Sequence, residues 1–185
     1  MDTPTHAVRI LTPPGLRERV TAVARAAGLH PAPTAVLTLV VVAGHHLPES
    51  LDQLMVDSAP HLVLRLLPDE VVVGPFVAPG VGACARCVAV GLADDSDDSV
   101  LALARAFGDP DPHAGLDAGA PGAAWHLLAL GVSRAACEIV AYGNGEIPST
   151  WSATWTAGLA AHADVRQWRR HAWCGCNWFD LPAAL

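Results

Sequence analysis

Two tight cysteine pairs constrain this chain more than any other feature of its sequence. The first pair, Cys84 and Cys87, is separated from the second, Cys174 and Cys176, by 86 residues. Cysteines two or three positions apart can bind one metal ion from a single turn, and two such pairs complete a tetrahedral site without an open position. We therefore predict that the two pairs bind one structural Zn²⁺, which fastens the end of the chain to its centre. The alternative is four ordinary buried cysteines in an apolar chain.

Composition and charge limit the classes of function. The 185 residues suffice for one domain with a sizeable core, and the formal net charge of −7 argues against a nucleic-acid-binding surface. No apolar run is long enough to span a membrane, and residues 1–6 do not resemble a secretion signal. We therefore expect a cytoplasmic protein, in which paired cysteines more often bind metal than form disulfides. All 11 basic residues are arginine, so the chain has no Schiff-base lysine and no phosphate-binding lysine.

Apolar runs that alternate with helical patterns predict an α/β sheet with right-handed crossovers. Residues 68–69 are expected to join a hairpin, residues 74–80 to form a connector and residues 108–121 to form a flexible loop. The last two strands are expected to be antiparallel. Predicted strands cover residues 7–11, 36–42, 61–67, 70–73, 150–157 and 165–173, and predicted helices cover residues 16–27, 48–57, a short stretch after residue 87, 99–107 and 123–142.

Three other groups of side chains could take part in chemistry, but their sequence context favours a structural role for each. His45 and His46 follow a predicted central strand, where α/β sheets bind ligands, but no acid or nucleophile stands at motif spacing beside them, which favours a polar loop. Four aspartates within residues 94–98 lack the glycine and glutamate of a calcium loop, and they favour the start of the next helix. Cys137 lies near the apolar face of the longest predicted helix and is predicted to be buried.

All six tryptophans lie in the second half of the chain, from Trp125 onwards. This region therefore either packs onto the sheet or presents a contact surface. We expect Trp151 and Trp155 to pack, and Trp173 and Trp178 to shield the second cysteine pair. The same region, together with exposed strand edges, favours self-association.

Several segments resemble the cyclodehydratase-associated ThiF-like domain of thiazole/oxazole-modified peptide (bacteriocin) biosynthesis. They are PHLVLR at 60–65, VGPFVAPG at 73–80 and ACARC at 83–87, followed by RRHAWCGC at 169–176, which resembles the terminal Cys-Gly-Cys signature of that family. The resemblance covers about residues 35–176. It implies a truncated ThiF/MoeB-like, Rossmann-type sheet with helices on both faces, C-terminal antiparallel strands and a structural zinc held by four cysteines. It also implies a homodimer.

The resemblance implies a function as well. Members of the family bind the leader segment of a ribosomal precursor peptide and present its core to a YcaO-type cyclodehydratase, which forms azolines with ATP. Adenylating relatives need a glycine-rich loop after the first strand, whereas residues 12–15 (TPPG) contain one glycine. We therefore expect residues 1–185 to form a single ThiF-like domain that lacks the nucleotide-binding first βα unit, and also lacks the winged-helix leader-binding module of fuller members.

Three functions stay open at this point. The first is a zinc-containing scaffold without catalytic residues, which binds peptide or a YcaO-type partner. The second is a minimal ATP-dependent adenylating or cyclodehydrating enzyme with a nucleotide site near His45 and His46. The third is a redox or metal-handling protein whose cysteines cycle as thiols. The first is favoured, because the chain lacks both the glycine-rich loop and the lysine that an adenylating site requires.

Overall fold

The computed structural model describes residues 6–109, 123–159 and 163–176, and they form a mixed α/β fold, as predicted. Seven strands and five α-helices follow one another along the described chain. The strands are β1 (Ala7–Leu11), β2 (His30–Pro31), β3 (Thr38–Ala43), β4 (His61–Leu66), β5 (Glu70–Val77), β6 (Ala153–Gly158) and β7 (Ala163–Gln167). The helices are α1 (Arg17–Ala26), α2 (Ser50–Val56), α3 (Ala85–Asp94), α4 (Ser99–Phe107) and α5 (Ala123–Gly143).

The strands form one sheet in the order β2-β1-β3-β4-β5-β6-β7. Strands β1 to β4 pair in parallel, whereas β5, β6 and β7 each pair antiparallel with the preceding strand. The strand order reverses at β1, which lies between β2 and β3. In open α/β sheets such a reversal leaves a crevice between the two loops at the carboxyl ends of the strands. The prediction that the chain lacks the first βα unit of a full Rossmann-type sheet stays a prediction.

Helices cover the central strands on both faces. One face packs against α1 and α5 through a large cluster that includes Leu39, Leu64 and Val132. The other face packs against α2 and the start of α3 through a smaller cluster that includes Val40 and Leu54. Burial on both faces explains why β3 and β4 consist of nearly continuous apolar residues rather than of alternating apolar and polar residues.

Strand β5 is longer than the sequence predicts. The prediction of a connector over residues 74–80 is wrong in its first half, because β5 continues to Val77. An extra residue relative to β4 produces a bulge at Gly74 and Pro75, and a bulge is where a strand tolerates proline. Gly74 has a φ of +111°, and a Cβ there would lie 2.3 Å from the carbonyl oxygen of Ala153, so the position requires glycine.

The antiparallel pair near the end of the chain is confirmed as β6 and β7, although both strands are shorter than expected. Cys137 is exposed on α5, so the prediction that it is buried is wrong; it follows the buried Ala136 and points away from the sheet. The predicted loop over residues 108–121 lies outside the described residues except for its first two positions. None of the helices that the structure describes has the length and apolarity to cross a membrane.

A buried carboxylate fixes the turn before β6. Glu138 on α5 is 3% exposed and forms an ion pair with Arg134. It accepts hydrogen bonds from the backbone nitrogen of Thr150 at 3.0 Å, from the Thr150 hydroxyl at 3.2 Å and from the Ser149 hydroxyl at 2.8 Å. These contacts replace the water that the carboxylate loses on burial. Helix α5 thereby holds the turn that carries Ser152.

Replacing Glu138 by alanine is expected to lower the free energy of unfolding by about 1–3 kcal/mol, because the buried nitrogen and hydroxyl of Thr150 lose their acceptor. Chemical denaturation measures the change. Glu146→Ala is the matched control, because Glu146 is exposed just after the same helix. Equal stability of the two variants would contradict the role given to Glu138.

Candidate metal centre

The structure brings all four predicted cysteines together. The sulfur of Cys84 lies 3.7 Å from that of Cys87 and 3.5 Å from that of Cys174, and the sulfur of Cys87 lies 3.3 Å from that of Cys176. All four sulfurs lie within 4.8 Å of one another and are buried. In the part of the chain that the structure describes, no other group of three or more histidine, cysteine or acidic side chains is close enough to share an ion.

The sulfur spacing fits one tetrahedral metal ion. Four thiolates around an ion, each at the metal–sulfur distance of about 2.3 Å, lie about 3.8 Å from one another. The sulfur–sulfur distances of 3.3–3.7 Å are close to this value, and all four cysteines are free thiols. A disulfide would require sulfurs about 2.05 Å apart. The cluster could therefore hold one ion, with every position of a tetrahedron filled by protein sulfur.

The first pair stands at the beginning of α3. Cys84 is the N-cap residue of this helix, so the helix dipole favours negative charge on the sulfurs. The preceding loop is tied to the turn before β6, because the backbone nitrogen of Ala83 donates to the Ser152 hydroxyl at 2.9 Å. Gly82 has a φ of +84°, and a Cβ there would lie 2.2 Å from the same hydroxyl oxygen. This close approach explains the glycine two residues before Cys84.

The second pair is positioned by polar contacts as well as by sulfur. Arg170 donates to the carbonyl oxygens of Gly80 and Gly82, the latter at 3.1 Å from Nε. The backbone nitrogen of His171 donates to the sulfur of Cys87 at 3.3 Å, and its Nε2 lies 2.9 Å from a carboxylate oxygen of Asp94 on α3. The segment before Cys174 is therefore attached both to the loop before α3 and to α3 itself.

Trp168 is the tryptophan that packs against the cysteine cluster. Its Nε1 donates to the hydroxyl of Thr154 at 2.9 Å, which fixes the ring. Trp173 is 90% exposed, so the prediction that it shields the sulfurs is wrong, and Trp178 lies outside the described residues. Trp168, six residues before Cys174, lies against α3. Trp173, directly before Cys174, faces solvent.

The other tryptophan prediction is confirmed. Trp151 and Trp155 are half-buried and pack against the large core cluster. The Trp151 ring stacks on that of Phe76, with ring centroids 5.8 Å apart. Contacts of this kind add to the stabilisation that burial of the ring area already gives.

Hydrogen bonds and burial within the cluster shift the pKa values of three of the thiols in different directions. Hydrogen bonds from Cys174 and Cys84 lower the pKa of Cys87. The hydrogen bonds that Cys84 makes with Cys174 and Cys87 raise the pKa of Cys84, while burial is the main cause that raises the pKa of Cys176 to about 12. Without metal the cluster therefore concentrates negative charge on Cys87. Binding of a metal ion would displace the protons of the neighbouring thiols.

Two features beside the cluster carry no signal in the sequence. Arg86 lies between the first two cysteines and forms an ion pair with Asp52 on α2, and the hydrogen bond to Asp52 raises the pKa of Arg86. An apolar cavity of about 230 Å³ adjoins the sulfurs and is lined by Met55 and His61, among others. His61 Nδ1 donates to the carbonyl oxygen of Ala59 at 2.9 Å, and burial lowers the pKa of its ring.

The remaining sequence candidates lie away from the cluster. His45 and His46 follow β3 in a loop, as predicted, and His45 lines a separate cavity. Asp98 caps α4 by accepting from the backbone nitrogen of Leu101 at 2.9 Å, which confirms the helix-start interpretation. Asp95 forms an ion pair with Arg166, and a carboxylate oxygen of Asp94 lies 2.9 Å from His171 Nε2.

Comparison with known proteins relates this geometry to solved structures. No protein-family model matches the chain, and no curated protein matches it. A heterocyclase in complex with substrate and cofactor superposes with a TM-score of 0.68, at 17% identity over 92% of this chain and 25% of the heterocyclase. The heterocyclase TruD superposes with a TM-score of 0.66, at 20% identity over 92% of this chain and 27% of TruD.

A more distant likeness is to MccB, the microcin C7 biosynthetic enzyme, in complex with N-formylated MccA. Its TM-score is 0.51, at 13% identity over 78% of this chain and 42% of MccB. The chain spans about a quarter of the length of the two heterocyclase structures. At these identities the likeness shows a shared fold.

Replacing Cys174 by serine is expected to abolish metal binding and to lower the melting temperature, because the second pair loses one of its two sulfurs and metal-binding energy counts as folding energy. Metal analysis and thermal denaturation measure the two effects. Cys137→Ser is the matched control, since this cysteine is exposed on α5 and is not part of the group of four. Retained metal with unchanged melting in Cys174→Ser would refute the site.

Proposed function

We propose that this chain is a non-catalytic, zinc-containing ThiF-like scaffold that supports azoline formation by a YcaO-type cyclodehydratase on a ribosomal precursor peptide. The observation that carries the proposal is the likeness of 92% of the chain to the fold of two heterocyclase structures. The sequence segments that resemble the cyclodehydratase-associated ThiF-like domain point to the same role. In this proposal the chain binds the peptide or the partner enzyme, and the partner performs the chemistry.

Zinc is the ion that this donor set favours. Four cysteine sulfurs suit Zn²⁺, which prefers tetrahedral sulfur coordination and has no redox chemistry. When bound, Zn²⁺ would supply a cross-link between the loop before α3 and the C-terminal segment. Four protein ligands leave no coordination position for an activated water or a substrate, so the ion's role is structural.

The loop after β1 supports a role without nucleotide chemistry. It follows the strand at which the sheet order reverses, where a Rossmann-type sheet binds phosphates through backbone N–H groups. Pro13 and Pro14 occupy the loop and have no N–H to donate, and the chain contains no lysine to contact a phosphate. These features argue against adenylation by this chain alone.

The purified protein is expected to contain one zinc per chain and to retain a YcaO-type protein or a precursor peptide encoded beside its gene in a co-expression pull-down. It is expected to show no ATP–pyrophosphate exchange alone, because the loop after β1 lacks phosphate-binding donors. Metal analysis, the pull-down and the exchange assay are made on the same preparation.

Cys137→Ser is the control for the purified protein, and it should behave as the natural chain does. Capture of neither partner would contradict the scaffold role. ATP–pyrophosphate exchange in the presence of an acceptor peptide would instead indicate that the chain is a minimal adenylating or cyclodehydrating enzyme. Four reactive thiols without metal would instead favour a redox protein.

A further inference from the structure

A cavity of about 460 Å³ lies between the α3–α4 pair and strands β4 to β7, and several polar side chains line it. No cysteine lines it, and its one shared residue with the candidate metal centre is Trp168, which packs against the cysteine cluster. Its volume falls in the range of about 300–1,000 Å³ found for small-molecule sites. The polar side chains that carry the argument are Arg65, Glu70, Arg105, Thr154, Asp164 and Arg166.

Arg65 is the unusual member of this lining. It lies on β4 between Leu64 and Leu66, which face the large core cluster, so its side chain is on the opposite face. It is only 8% exposed. Among the described residues, no carboxylate oxygen lies within 4.0 Å of its guanidinium. Burial lowers the pKa of Arg65, and the charge of Glu70 raises it by less.

The guanidinium nitrogens of Arg65 are not among the fully buried polar atoms of the described residues, so they keep access to the cavity. Burial of a charge is unfavourable unless the charge is paired or hydrogen-bonded, and a planar guanidinium is best satisfied by two oxygens of one carboxylate or phosphate. Because Arg65 lines the cavity, an oxyanion bound there could supply these two oxygens.

Other donors line the same cavity. Arg105 on α4 has no ion pair among the described residues and is exposed, so its guanidinium can reach a ligand. The Thr154 hydroxyl accepts from Trp168, which leaves its own hydrogen available to donate. Arg166, in contrast, is already paired with Asp95 and lies over the Trp168 ring.

The acidic members of the lining restrict the ligand. Glu70 and Asp164 both line the cavity. Their negative charges disfavour a polyanion such as a triphosphate, since like charges at short range repel strongly in a partly buried site. Two arginines next to two carboxylates suit a ligand with one anionic group.

We propose that this cavity binds a small ligand through one oxyanion group, a carboxylate or a single phosphate, which pairs with Arg65 and Arg105. The site is independent of the metal centre and of the scaffold role. It would give the chain a second binding function, in which a small molecule bridges β4 and α4.

Nuclear magnetic resonance titration of the 185-residue chain tests the site. Inorganic phosphate and acetate are added separately at matched ionic strength, and the arginine Nε–Hε signals are followed. At least one anion is expected to shift the signals of Arg65 and Arg105 with saturation. Saturation by phosphate alone identifies a phosphorylated ligand, and saturation by acetate alone identifies a carboxylic acid.

Variants separate this site from general anion binding. Arg65→Met is expected to abolish the binding and to leave the free protein as thermostable as the natural chain or more so, because an unpaired buried charge is removed. Arg105→Gln is expected to weaken binding by about tenfold, because one charge-assisted hydrogen bond is lost. Arg19→Gln, at an exposed position on α1, is the control with the same change in charge.

The proposal is overturned if neither anion gives a saturating shift of the Arg65 signal. It is also overturned if Arg105→Gln binds as tightly as Arg19→Gln. The comparison of Arg105→Gln with Arg19→Gln tests the proposed site even if Arg65→Met does not fold. Arg105 is exposed, so its replacement leaves the core intact.

Discussion

Four sulfur atoms lie within 4.8 Å of one another, and this crowding is the constraint on which the rest of the structure depends. Four buried thiolates at such spacing would repel one another strongly, so the cluster must retain protons or bind a cation. Either solution requires that the two halves of the cluster be placed accurately. The first half is fixed by the start of α3, and the second by the course of the chain after β7. The antiparallel half of the sheet determines where that chain emerges.

The two halves of the sheet differ in physical character. The parallel half is buried on both faces by apolar side chains and gives the fold its stability. The antiparallel half is more polar: it carries the buried Glu138 contacts to the turn before β6, the ring of Trp168, and one wall of the cavity that Arg65 on β4 also lines. Buried polar groups restrict the conformations that the chain can adopt, because each group needs a hydrogen-bond partner. Both candidate binding sites lie in this half.

Local patterns in the sequence were sufficient for most of the elements and for the choice of the four cysteines that the structure brings together. The strand over residues 7–11 and the helix over residues 99–107 have the predicted bounds, because apolar run length and capping by Asp98 are local properties. The course of β5 past Pro75 depends on a bulge opposite β4, which only the pairing of distant strands reveals. The exposure of Trp173, and the lack of a carboxylate next to Arg65 among the described residues, likewise depend on tertiary contacts that a local sequence pattern does not predict.

The distance between the two cysteine pairs has a consequence for biosynthesis. During translation Cys84 and Cys87 leave the ribosome 86 residues before Cys174. At the usual rate of synthesis this delay is roughly 4 to 17 s. For that interval the first pair can offer an ion only two ligands, and its thiols are open to oxidation or to the wrong metal. A metal centre built from all four cysteines would therefore close late in folding, after the second pair has emerged.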